Sequence, residues 1–173
     1  MVLSDRINLN SIYTFSLLYL AQEIEWCDRS PLKKGRNSMS DYLVKSQLEN
    51  KEWQISNHVR DHNFICDAND KKYDAGPNPV EYLCGSVNSC IVMSAGMITK
   101  AHQLDVKNFN VKNYAKTEKM GHGKSVVTEM RIEVSFDSEM SNEEKEEFLA
   151  HVLHVSTIYQ TIKEAIKIYV ELT

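Results

Sequence analysis

The segment VEYLCGSVNSCIVMSAGMITKAH, residues 80–102, constrains the fold of this chain more than any other. Val80, Leu83, Cys84, Val87, Ile91, Ser94, Ala95, Ile98 and Ala101 recur at three- and four-residue intervals, the period of a helix with one apolar face. Gly85, Ser86, Ser89 and Gly96 thin the remaining sides. A helix so bare can be approached closely from several directions, which predicts a central position in the fold. Pro79 suits a first helical turn, where its missing N–H costs nothing, and Asn78 suits the cap before it.

Around this helix the pattern has period two. YLVKSQLEN, EWQISNHV and HNFICDA, between Asp41 and Asp67, alternate partly and carry β-branched and aromatic residues, as a meander of half-exposed strands does. After the helix, VKNFNVKNYAK and SVVTEMRIEVSF flank a Gly121-His122-Gly123 turn and predict a hairpin, with Val127, Met130, Ile132, Val134 and Phe136 inward. Ser141 caps a further helix with Glu143, Glu144 and Glu147 in its early turns and Phe148, Val152 and Val155 inward. TIYQTIKEA then predicts a short helix and IKIYVEL a closing strand. The class is α+β, with no repeat or low-complexity tract.

The amino-terminal forty residues differ in character. Leu17, Leu18, Ala21 and Ile24 fit an amphipathic helix, and the stretch from Ile12 to Ala21 has roughly half the 20 residues needed to cross a bilayer. CDRSPLKKGRNSMS, which follows, is linker chemistry. The expected division is an amino-terminal helical extension and linker over 1–40 and one globular domain over 41–173, without a membrane span.

Charge and cysteine content narrow the function. Twenty basic and 24 acidic residues give a net charge of -4, and no basic stripe is present to meet a phosphate backbone, so nucleic acid is not expected as a partner. Cys27, Cys66, Cys84 and Cys90 are too sparse for a disulfide scaffold and lack C-x-x-C spacing, which points to reduced thiols in a cytoplasm. His151 and His154 lie three apart on a helix, but no H-E-x-x-H pattern accompanies them, so neither a metal nor a cofactor is expected.

Two motifs and the order of elements carry a family resemblance. GPNPVEYLCGSVNSC, from Gly76 to Cys90, resembles the pattern of OsmC-like proteins (osmotically induced protein C and organic hydroperoxide resistance proteins). In that pattern a Gly-Pro-x-Pro turn opens the central helix and a reactive cysteine follows eleven residues after the second proline. HNFICDA is similar to the family's strand ending in Asp, and STIYQTI, from Ser156 to Ile162, is similar to its second motif, usually Cys-Pro-Val and a polar pair. The resemblance covers 41–173. It implies antiparallel strands packed around a long central helix, in an intertwined homodimer with active sites at the interface.

The resemblance also implies a thiol-dependent reductase of organic hydroperoxides, serving defence against oxidative or osmotic stress. Cys90 would be the peroxidatic thiolate, with an arginine and a glutamate positioning it. Arg60 and Arg36 are the arginine candidates, and the sequence does not choose between them. Glu81 stands one residue after the family's glutamate position, which Val80 fills here. One residue is about 100° of helix rotation, so Glu81 is expected to point elsewhere and to serve as an anion in the first turn. Ser156 stands where the family has its resolving cysteine. Cys84 is separated from Cys90 by six residues, about 9 Å of rise, too far for a disulfide; Cys66 is the other thiol left open. An external thiol is therefore the expected reductant. The alternative is a non-catalytic dimer that holds a small apolar ligand beside the same helix; Met93, Met97, Tyr82 and Phe64 are the expected pocket lining on either reading.

Overall fold

The computed structural model describes residues 40–50, 53–68 and 74–173, of which 43–173 make one compact unit. The expected amino-terminal helix and Arg36 lie outside the described residues. Among the described residues, two three-stranded sheets and three helices make up the unit. β1 (Lys45–Leu48), β2 (Ile55–Val59) and β3 (His62–Cys66) form an antiparallel meander in that order. The long helix α1 (Pro79–His102) follows, then the hairpin β4 (Lys107–Gly121) and β5 (Lys124–Asp137), the helices α2 (Asn142–Val155) and α3 (Thr157–Ile162), and β6 (Lys167–Leu172).

The predicted helix begins where its chemistry requires. Asn78 accepts the amides of Val80 and Glu81 with its side chain, while Glu81 Oε2 accepts the Asn78 N–H at 2.8 Å. This capping box satisfies donors that a helix start otherwise leaves unpaired. The helix ends at Gln103, whose left-handed φ of 54° lets its N–H reach the Thr99 carbonyl. Its buried row is Val87, Ile91, Ser94, Ala95 and Ile98. Ala101, expected inward, is exposed, because the apolar face leaves the sheet in the last turn.

That row packs on β4–β5–β6 through Met130, Ile132 and Val134, all fully buried. Phe136, Phe148 and Phe109 close the far end as a ring cluster, with centroids 5.3 Å apart for Phe136–Phe148 and 5.4 Å for Phe109–Phe136. Inward residues of β5 change parity between Val127 and Met130, and the pairing register gives the reason. Thr117 pairs with Val127 and Lys116 with Glu129, so Thr128 is the extra residue of a β-bulge.

Two expectations need correction. β6 does not extend an all-antiparallel sheet: it pairs parallel with β5, Met130 opposite Ile168 and Ile132 opposite Val170. A parallel neighbour requires a crossover, and α2 with α3 supplies it. Ser141 caps α2 with a capping box to Glu144, as expected, but the buried residues are Phe148, Leu149 and Val152. Val155 is 38% exposed; it shares the stripe but is the last helical residue, where the chain turns off into Ser156.

Candidate functional site

The turn leading into α1 is held by β3. The buried Asp67 carboxylate accepts the amides of Ala68 at 2.7 Å and Ala75 at 3.2 Å, and the Asp67 N–H donates to the Pro77 carbonyl at 3.2 Å. Tyr82 of α1 donates its hydroxyl to the Ile65 carbonyl at 2.5 Å, and its ring lies 5.1 Å from that of Phe64. Gly76 passes so close to Ile65 that a Cβ there would overlap the Ile65 carbonyl oxygen. The Asp-terminated strand and the Gly-Pro-x-Pro turn are thus one device that fixes where the helix starts, and with it the position of every thiol on the helix.

Cys90 is half-buried on the flank of α1. Its Sγ accepts the N–H of Ile158 at a distance of 3.5 Å. This contact joins α1 to the first turn of α3 across 68 residues of sequence, so the segment around the first cysteine motif meets the segment of the second. Ser156, which opens that segment, is fully buried, ends α2 and precedes α3. Among the described residues its Oγ has no hydrogen-bond partner, and it does not cap α3. The contact from the Ile158 amide to Cys90 was not legible in the sequence, since a backbone donor leaves no mark in composition; the position of Ser156 in the motif was its only sequence signal.

The other expected site residues lie elsewhere. Glu81 is about 180° around α1 from Cys90 by residue count, exposed, and engaged in the capping box. Arg60 stands at the tip of the β2–β3 hairpin with a left-handed φ of 53°, exposed, with no hydrogen bond or ion pair among the described residues. Cys66, Cys84 and Cys90 are free thiols. Cys66 is buried beside Asp67 at the end of β3, and burial, reinforced by the Asp67 charge, pushes its thiol above the ordinary range. Burial also raises the Cys84 thiol and the Glu81 carboxylate adds to it, against a backbone hydrogen bond that lowers it. His151 faces the His102 ring at 6.3 Å. Among the described residues no three His, Cys, Asp or Glu side chains gather as metal ligands.

On the opposite flank of α1 a groove runs between its first three turns and β4. Cys84, Gly85 and Asn88 form the helix wall, and Asn113, Ala115 and Thr117 form the strand wall. Asn88 and Asn113 occupy places where the helix and strand patterns call for apolar residues, and that break in pattern was their unread sequence signal.

Comparison with known proteins fits this architecture. Residues 69–171 match the family model described as OsmC-like protein. No curated protein matches the chain. Among solved structures, the OsmC-like protein of Mycoplasma pneumoniae superposes with a TM-score of 0.72 at 17% identity, covering 79% of this chain and 98% of that one. An organic hydroperoxide resistance protein of Legionella pneumophila gives 0.64 at 8% identity over 79% and 99%. The organic hydroperoxide resistance protein OhrB of Bacillus subtilis gives 0.60 at 11% identity over 79% and 100%. At such identities the structures establish a common fold, and the family model spans more than half of the chain: the protein belongs to the OsmC-like family.

Proposed function

We propose that this protein is a thiol-dependent reductase of organic hydroperoxides that works through Cys90 as a homodimer in the cytoplasm, with residues 41–173 as the OsmC-like domain. The observation that carries the reading is the hydrogen bond from the Ile158 amide to Cys90 Sγ. That contact sets the sulfur of the first motif against the segment of the second, and the thiolate is the form of a cysteine that attacks a peroxide. Arg60 of the second subunit, or Arg36, is the proposed cation beside that sulfur, because neither the helix dipole nor a lysine on α1 reaches it.

The reaction begins when the Cys90 thiolate attacks one oxygen of the O–O bond. An S–O bond forms, the O–O bond breaks, and the other oxygen takes up a proton and leaves as alcohol, so that sulfur is oxidised to the sulfenic acid. Ser156 cannot form a disulfide. An external thiol therefore condenses with the sulfenic acid, releasing water, and a second thiol exchanges with the mixed disulfide to return Cys90. No other group is needed as cofactor.

The test is direct. Dilute cumene hydroperoxide should convert Cys90 to a trappable sulfenic acid faster than it oxidises Cys84, and Cys90→Ser should abolish thiol-dependent peroxide consumption. Undiminished consumption in the Cys90→Ser protein would leave a non-catalytic, ligand-holding dimer as the better reading.

A further inference from the structure

The contact between Cys90 and Ile158 puts two chemically unlike groups within reach of each other. Cys90 is half-buried on α1, and the backbone nitrogen of Ile158 stands 3.5 Å from its Sγ with the N–H directed at the sulfur. That separation falls at the outer end of the roughly 3–3.5 Å from which positioned groups react. Ile158 is the second residue of α3, so its N–H is one of those that a helix start leaves without a partner in the helix. Gln160, two residues on, donates to the Ser156 carbonyl at 2.9 Å and belongs to the helix ladder. The Ile158 nitrogen can therefore give up its proton without breaking a helical hydrogen bond. α3 has six residues, none of them fully buried, and no side-chain cap, which leaves it free to close the remaining distance.

Among the described residues no second thiol is placed to meet Cys90. Ser156 stands at the resolving position and cannot form a disulfide. Cys84 is six residues away on the same helix, about 9 Å of rise, beyond the roughly 7 Å span of a disulfide. Cys66 is held at the end of β3 beside the first turn of α1, where Tyr82 bonds the Ile65 carbonyl, two helical turns before Cys90. A sulfenic acid without a partner is open to a second molecule of peroxide, which carries it to the sulfinic acid, a form that thiols do not reduce. The other group with which a sulfenic acid condenses is a backbone nitrogen.

We infer that the Ile158 backbone nitrogen resolves oxidised Cys90 as a sulfenamide, an S–N link between α1 and α3 that guards the sulfur against over-oxidation. The inference rests on the reading of Cys90 as the peroxidatic cysteine, since the hydroperoxide supplies the oxidation and the sulfenic acid is the starting point. The nitrogen attacks the sulfur, the S–N bond forms, the S–O bond breaks, and the amide proton leaves with the hydroxyl as water; sulfur stays at the sulfenic oxidation level. An external thiol reverses the link: its thiolate attacks the sulfur, the S–N bond breaks, and the nitrogen takes a proton back. Exchange of the resulting mixed disulfide with a second thiol returns Cys90.

Peptide mapping reads the link directly. Full-length protein given about one equivalent of cumene hydroperoxide without external thiol, alkylated and digested with trypsin, should yield peptides 73–100 and 146–163 joined, about 2 Da below the sum of their masses once the alkyl group on Cys84 is counted. Residues 146–163 contain no cysteine, so no disulfide gives this product. Fragmentation should place the link at Cys90 and the Ile158 nitrogen, and dithiothreitol should release both peptides. Ile158→Pro removes the hydrogen at a place where a first helical turn tolerates proline. In that variant, excess peroxide should carry Cys90 to the sulfinic acid, about 32 Da heavier, at least about threefold faster than in the wild type. Cys90 found as sulfenic or sulfinic acid with the two peptides unlinked would overturn the sulfenamide and leave the peroxidatic reading standing, whereas Cys90 still reduced after peroxide would overturn both. Equal over-oxidation in a folded Ile158→Pro protein would overturn the guarding role, and if that variant does not fold, the wild-type link decides alone.

Discussion

At the scale of single residues, the three described thiols of one chain differ by environment. Cys90 meets a backbone donor at 3.5 Å, whereas Cys66 and Cys84 are raised chiefly by burial. Raising a thiol's pKa lowers its thiolate fraction at neutral pH, so Cys84 should alkylate with a midpoint above the ordinary thiol value of about 8.5. Glu81→Gln keeps a capping side chain but removes the charge, and should move that midpoint down. The same sign governs stability: a thiol held neutral contributes fully below its unfolded pKa, and the contribution is lost as pH rises through the folded value. Ser156 supports a second prediction. Because Ile158, two residues on, reaches Cys90, a cysteine at 156 should form a disulfide with Cys90 after peroxide treatment, detected as loss of both thiols to alkylation under non-reducing conditions. A folded Ser156→Cys protein that keeps both thiols would count against aligning Ser156 with the resolving position.

At the scale of elements, the junction of β3, the Gly76 turn and α1 carries the site, and it should be the most sensitive place to substitution outside the core. Gly76→Ala drives a methyl group into the Ile65 carbonyl, which already accepts the Tyr82 hydroxyl. Relief requires shifting backbone in β3 or in the turn, at a cost of about 1–3 kcal/mol, read as a lower urea midpoint with an unchanged slope. Most of this architecture was legible in the sequence, because its signals are local. Asn78 and Pro79 mark the start of α1, Ser141 marks α2, and Gly121 and Gly123 mark the hairpin with positive φ angles of 84° and 78°. The rest was hidden because it depends on neighbours distant in sequence. Whether β6 runs parallel or antiparallel to β5 is decided by the length of the α2–α3 crossover and not by IKIYVEL itself. The parity break at Thr128 was visible, yet only the partner strand turns it into a bulge. The candidate site was half legible: the motif spacing located Cys90 and Ser156, but no pattern in the chain places a backbone amide or says that Glu81 bends back to its own cap.

At the scale of the whole molecule, the described chain leaves apolar surface open where a folded monomer would hide it. Met93 and Met97, about one helical turn apart on α1, are 66% and 61% exposed, and Leu43, Leu48 and Trp53 of the first sheet region are similarly bare. Only 28% of the most apolar 18-residue window of α1 is buried within the chain, although by length and composition alone this helix could cross a bilayer. Its amino-terminal half is anchored by the Asn78 cap and Tyr82, and its buried row packs on β4–β5–β6, which fits a core helix awaiting a second cover better than a membrane span. Gly85, Ser86, Ser89 and Gly96 lie on the open side, where small side chains allow another backbone close. A second copy of the chain is the proposed cover. Light scattering at micromolar concentration should give the mass of a dimer, and the unfolding midpoint should rise with protein concentration, as mass action requires when only the folded state associates. Met93→Asp and Met97→Asp together should lower the mass to that of a monomer or make folding fail at dilution, because each places a charge in the buried interface. A wild-type protein that scatters as a monomer, with a melting point independent of concentration, would remove the dimer, and with it the supply of Arg60 from a second subunit to Cys90.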